Sequence, residues 1–186
     1  MKRFRRMRCV FGVDTVATVS SFEDFYRSEF RSTVSLAAWL TRDAATGEDL
    51  AQEVMTVIQR TWTHVRELDN PKAYLRRLVI NRAANERRRK GRERRALERI
   101  AATGPASQRM AADSSDDALW IEVRRLPLRQ RATVALRYLE DLSTDEIAEV
   151  LDCAPSTVRV NLHRAHRRLA EQLGRTTDTP QHSGGE

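Results

Sequence analysis

STDEIAEVLDCAPSTVRVNLHRAHRRL, residues 143–169, holds two helix starts separated by a short interruption. Ser143 and Glu146 stand at capping-box spacing, so the hydroxyl and the carboxylate can satisfy reciprocal orphan amides where a helix begins. Ile147, Ala148 and Leu151 give that short helix one apolar face. Asp152 to Ala154 reads as a tight turn, and Pro155 suits the first position of a second helix, whose stripe is Val158, Leu162, Ala165 and Leu169. Arg159, His163, Arg164 and Arg167 fall outside that stripe. A short capped helix, a brief turn and a basic second helix describe a helix-turn-helix; an ordinary helical hairpin would not need so cationic an outer face.

Outward from this motif the chain reads as all-α, two small helical domains joined by a flexible linker. The second domain spans 116–174: Leu119, Trp120 and Val123 open it, and Pro127 marks the entry to a helix carrying Val134, Ala135 and Tyr138. Residues 97–115, rich in Thr, Gly, Pro, Ser, Gln and Asp without apolar period, read as the linker. The first domain spans 21–96. Phe22, Tyr26, Phe30, Val34, Ala37 and Leu40 predict a helix over 21–40, with Ser21 and Asp24 at its cap. Thr41 to Gly47 reads as a break, and Leu50, Ala51, Val54, Met55, Ile58, Trp62 and Val65 predict a second helix over about 48–65. Arg66 to Asn70 reads as a loop, and Pro71 as the first turn of a third helix, anchored by Tyr74, Leu75, Leu78 and Val79. Residues 1–20 read as a mobile basic arm and 175–186 as a disordered tail.

Basic charge is concentrated on that third helix. Between Arg76 and Arg95 there are ten Lys or Arg against Glu86 and Glu93, a net of +8 in a chain whose whole formal charge is +7. A local block of this kind is the footprint of phosphate binding, against the plainer reading of a solvated helix face. At 186 residues, 32% charged and 6% aromatic, the composition argues for two compact units over one large core. Cys9 and Cys153 lie far apart with no C-x-x-C pattern, which indicates a reducing, cytoplasmic setting. No stretch approaches a membrane span, so membrane insertion is not expected.

Few residues suggest catalysis, and neither an enzyme nor a cofactor is expected. His163 and His166 are three apart on one helix, yet their neighbours are Arg164, Arg167 and Arg168, and cations disfavour a metal site. No Gly-rich phosphate loop or nucleophile elbow is present. Cys153 reads as a small packing residue, and Trp39, Trp62 and Trp120 as core. Asn81 and Asn85 differ. They are one turn apart among arginines, and an amide offers a donor and an acceptor suited to the edge of an unstacked base. Asp49, Gln52, Glu53 and Thr56 form a polar helix face that ordinarily meets only water.

LPLRQRATVALRYLEDLSTDEIAEVLDCAPSTVRVNLHRAHRRL, residues 126–169, resembles the promoter-binding C-terminal domain of bacterial extracytoplasmic-function sigma factors, in the sigma-70 family. GEDLAQEVMTVIQRTW and NPKAYLRRLVINRAANERRRK resemble their N-terminal domain, in the same order, over roughly 21–173. The resemblance implies a chain that binds core RNA polymerase, recognises minus-35 and minus-10 elements and helps to melt promoter DNA. It implies that Asp49, Gln52, Glu53 and Thr56 dock on the clamp helices of the beta-prime subunit. Asn81 and Asn85 would read a flipped minus-10 base, with the loop of Thr63 to Asn70 lying against it and Arg77, Arg82, Arg88 and Arg89 holding backbone. In the minus-35 major groove the implied contacts are Ser156, Thr157, Arg159, Asn161, His163, Arg164 and Arg167. An anti-sigma factor is a partner that the family admits. The sequence departs from the family at Ala154, Ser156 and Val160-Asn161, which bears on minus-35 base preference. Read from the residues alone, a free-standing helix-turn-helix transcriptional regulator and an arginine-rich module without sequence choice remain alternatives.

Overall fold

The computed structural model describes residues 21–100 and 118–177, with eight helices and no strand among them. The expected arm over 1–20, most of the linker and residues 178–186 lie outside the described residues. α1 (Phe22–Thr41) begins where the Ser21 side chain accepts the Asp24 amide, as its cap spacing predicts. It ends at Arg42, whose left-handed backbone (φ 69°) returns its N–H to the Ala38 carbonyl.

The expected break over Thr41 to Gly47 shrinks to Arg42 and Asp43. Asp43 caps α2 (Ala44–Arg60) by accepting the Thr46 amide at 2.7 Å, which starts this helix four residues before the first acidic pair. Hydrogen bonding by the Thr46 side chain, then by its backbone, holds the Asp43 carboxyl below its usual range. The continuous helix expected to Val65 stops at Thr61, whose hydroxyl bonds back to the Val57 carbonyl; a separate turn, α3 (Trp62–Val65), follows. Gly47 lies within α2 and is fully packed: a Cβ there would stand 2.5 Å from the Ala38 backbone nitrogen. The missing side chain lets α1 and α2 cross at close range.

α4 (Pro71–Ile100) starts at the expected proline, with the Asn70 side chain accepting the Ala73 amide. It runs as one helix to residue 100, past the expected start of the linker. In the second half, α5 (Ala118–Arg125), α6 (Leu128–Tyr138), α7 (Thr144–Leu151) and α8 (Pro155–Thr177) follow the order read from the motif. The α7 capping box is complete, with Ser143 and Glu146 each accepting the other's amide. Helix α8 continues through residues 175–177, past the expected start of the tail.

The two halves do not keep separate cores. Ala132, Ala135 and Leu136 of α6 and Ile147, Ala148 and Val150 of α7 join Phe25, Leu36, Leu40, Val54, Ile58, Leu75 and Val79 in one buried cluster. Trp39 of α1 packs onto a second cluster built around Val123, Leu126, Val134 and Ala165. Helix α6 lies on α1 and α7 lies on α4. Periodicity predicts the buried face of α2, but α1 buries Phe25, Glu29, Thr33 and Leu36 where Phe22, Tyr26, Phe30 and Val34 were expected. Nor does it predict that faces from the two halves meet.

Candidate nucleic-acid interface

Helix α4 has an inner part and an outer part. Leu75, Val79 and Ala83, four residues apart, are buried at 1%, 0% and 1% exposure and fix its register. Beyond Ala83 none of its described side chains is buried, and arginine dominates. One row, Arg77, Asn81, Ala84, Arg88, Gly91 and Arg95, lines a cleft of roughly 1120 Å³ between α4 and the second half. The facing wall is Pro127, Leu128 and Arg129, the turn from Val150 to Cys153, and Asn161. Seven arginines line this cleft against one carboxylate, Asp152.

The candidate base readers and their arginines are sorted by this geometry. Asn81 is exposed and lines the cleft with Arg88. Asn85 is exposed one turn on and accepts a long 3.4 Å hydrogen bond from Arg88. Arg77 is turned inward: its Nε donates to the Val150 carbonyl at 3.1 Å and a terminal nitrogen to the Glu149 carbonyl, at the C-terminal end of α7. Arg82 is ion-paired with Glu53, joining a candidate DNA contact to a candidate polymerase contact. Arg89 forks onto Glu86 at 2.8 and 2.9 Å and also meets Glu93. Arg89 thereby holds the Glu86 carboxyl below its usual range.

The candidate polymerase face is a coherent strip. Asp49, Gln52, Glu53 and Thr56 are all exposed, opposite the buried Leu50, Ala51, Val54, Met55 and Ile58. The Thr56 hydroxyl donates to the Gln52 carbonyl. In α3 and the loop after it, Thr63, His64, Arg66, Glu67 and Asp69 are exposed, with Val65 buried beneath. Trp62 packs edge-on to Phe22 and against Phe25, in the core as read. The Trp120 side chain lies outside the described residues.

On α8, Ser156, Thr157, Arg159, His163, Arg164 and Arg167 are exposed, while Asn161 is half-buried and turned to the cleft. Arg159 and Arg164 have no ion pair among the described residues; Arg167 is 3.5 Å from Glu171. His166 lies 2.9 Å from the Tyr138 hydroxyl, linking α8 to α6. No group of three metal-ligating side chains occurs among the described residues. No helix of the described residues is long and apolar enough to cross a membrane.

Two structural cations were not read from sequence as anything but charge. Arg76 forks onto Glu140 at 2.9 and 2.6 Å across the two halves. Arg131, 1% exposed, donates to the Leu40 carbonyl of α1 and the Arg124 carbonyl, each at 2.7 Å. Burial, then the guanidiniums of Arg42 and Arg87, push its pKa down to about 9. The signal lay in spacing: Arg131 stands four residues before Ala135, on the buried face of α6.

Residues 25–93 match the family model of sigma-70 region 2, and residues 118–169 that of sigma-70 region 4. The chain is 32% identical to an RNA polymerase sigma-E factor of Streptomyces coelicolor over 158 residues, covering 83% of this chain and 87% of the relative. It is 28% identical to the ECF RNA polymerase sigma factor SigM of Mycobacterium tuberculosis over 155 residues, covering 83% and 78%. The fold is similar to that of the sigma factor RpoE solved in complex with the anti-sigma factor NepR from Bartonella quintana. That likeness has a TM-score of 0.66 at 20% identity, over 82% of this chain and 96% of the other.

Proposed function

Because the chain belongs to the extracytoplasmic-function group of the sigma-70 family of RNA polymerase sigma factors, we propose that its exposed α4 and α8 faces divide promoter recognition between them. The protein is a transcription initiation factor that binds core polymerase and recognises promoter DNA. The observation that carries the residue-level reading is the cleft in which seven arginines surround the exposed Asn81. Asn81 and Asn85 read a minus-10 base edge, and Arg88 with the outer arginines of α4 holds the strand by its phosphates. Residues 21–96 carry this role and the polymerase contact through Asp49, Gln52, Glu53 and Thr56. Residues 116–174 carry the minus-35 contact, in the cytoplasm where polymerase and DNA meet. A partner of the anti-sigma kind is an expectation for this chain.

Arg77, Arg82 and Arg89 are engaged within the protein in this arrangement, so their contact with DNA requires exchange of those partners. Arg159 is free to meet a base. Arg159→Ala should weaken discrimination at the minus-35 element by about 1–3 kcal/mol, the value of a bidentate base contact. Filter binding of holoenzyme to matched and scrambled elements reads this; equal loss on both would reassign Arg159 to phosphate. Asn81→Ala should leave polymerase binding intact and cost open-complex formation about 1–3 kcal/mol, as expected when a recognised polar edge loses its partner. Permanganate footprinting measures that step, and normal melting by this variant would remove Asn81 from the reading site. The proposal as a whole is tested by transcription: purified protein with core polymerase must yield promoter-dependent transcripts from a genomic template library.

A further inference from the structure

Among the described residues of α8, Val160 is the one large apolar side chain that is exposed, at 45%. It belongs to neither apolar cluster. At ~100° of turn per residue it stands opposite the inward stripe of Val158, Leu162 and Ala165, and within about 60° of the exposed Ser156, Thr157, His163, Arg164 and Arg167. Val160 is thus the middle of the outward face, early in the helix. Each of those five exposed neighbours carries a hydrogen-bonding group or a charge. Asn161, the next residue, is half-buried, lines the cleft and lies to one side. Single exposed apolar residues are common on protein surfaces and helix propensity does not favour valine there, so it is the placement of this one among contact residues that carries information.

We propose that Val160 is a specificity-determining residue whose methyl groups pack on the C5-methyl of a thymine in the minus-35 element. This rests on the assignment of the outward α8 face to that major groove. A recognition helix meets base edges through its N-terminal part, where Val160 stands. Every base pair shows hydrogen-bonding groups in the major groove, and thymine adds an apolar one. A side chain without donor or acceptor would leave any polar edge it covered without a partner, so the methyl is the group it can recognise. Ser156 and Thr157 are short and let the helix approach the groove floor at this point, as the equally short valine requires. Arg159 and Arg164 are long and reach guanine or phosphate on either side. A valine in a helix keeps one preferred χ1 rotamer, so little freedom is lost when its methyls meet the base.

The test is binding of holoenzyme, formed from the full chain and core polymerase, to a promoter duplex that it transcribes, with each thymine of the minus-35 element replaced in turn by uracil. Uracil lacks the C5-methyl and keeps the same hydrogen-bonding edge. One such replacement is expected to weaken wild-type binding about fourfold, the value of one buried methyl-sized group, and to leave Val160→Ala nearly unchanged. That variant should bind the unmodified duplex about fourfold more weakly than wild type, so that the two losses do not add. Val160 lies outside both apolar clusters and alanine favours a helix, so folding is not in question. Equal loss on uracil in both proteins would assign the methyl to another side chain and overturn the proposal, as would a minus-35 element with no thymine on either strand. No loss at any uracil, with binding still weakened by scrambling the element, would overturn it and leave the α8 assignment standing. Indifference to scrambling would remove α8 from the minus-35 element, and Val160 with it.

Discussion

Glu140→Gln should separate the two halves of the free protein while leaving each folded. Arg76 and Glu140 side chains are only 14% and 5% exposed, and the guanidinium forks onto one carboxylate oxygen across the contact between α4 and the segment after α6. Removing one partner of a buried ion pair costs about 3–5 kcal/mol, because the other charge stays desolvated. Glu29, 3.9 Å from Arg76 and itself paired with Lys72, offers one long ion pair in place of the fork and offsets only part of the loss. The loss acts against the apolar cluster that the halves share, and it must exceed what that cluster contributes for them to part. Small-angle scattering should show a larger radius of gyration than wild type, with helicity by circular dichroism unchanged. Replacing the pair together, Arg76→Met with Glu140→Leu, should restore compactness. Identical scattering from Glu140→Gln and wild type would mean that apolar contacts alone hold the halves.

Gly47→Ala should destabilise the first domain by about 1–3 kcal/mol, towards the upper end, since overpacking here strikes backbone rather than a side chain that can move. The added Cβ would meet the Ala38 Cα, N and Cβ, so α1 and α2 must separate along the contact that buries Leu36, Leu40, Leu50 and Val54. Gly91→Ala is the matching substitution of opposite sign. Nothing lies within 4 Å of a Cβ there, and an alanine inside an exposed helix favours it by about 0.5–1 kcal/mol. Thermal melts of the two variants should move in opposite directions. A melting temperature for Gly47→Ala equal to that of wild type would show that the helices can part without loss.

The contrast between these glycines shows what the residues alone disclose. Helix identity, the caps at Ser21 and Ser143, Pro71 and Pro155 as helix starts, and the stripe of α2 were legible because each rests on spacing within one segment. The α1 stripe was set off its true face, since Phe25, Glu29, Thr33 and Leu36 are buried and Tyr26 is exposed. Gly47 looked like part of a break because the property it serves, close approach to Ala38, belongs to a contact between two segments. The same limit applies to the candidate interface. A count of arginines located the basic face of α4, but could not separate Arg88, which lines the cleft without an ion pair among the described residues, from Arg77, Arg82 and Arg89, which are engaged within the protein. Asn161 belongs to the same cleft as Asn81, eighty residues earlier, and only the packing of α7 on α4 reveals it.

That packing makes the chain between α4 and α5 a control on affinity. Two surfaces on one chain meet at an effective concentration set by the tether, which for short flexible linkers is of millimolar order. A docking contact with a dissociation constant of ~10 μM, tethered at ~1 mM, stays closed about 99% of the time and weakens about a hundredfold any partner that needs the open form. Lengthening residues 101–117 with Gly-Ser repeats would lower that effective concentration roughly as the −3/2 power of length. Affinity for such a partner would then rise without a change in any residue that touches it, so the tether's length acts as a threshold for when that partner engages.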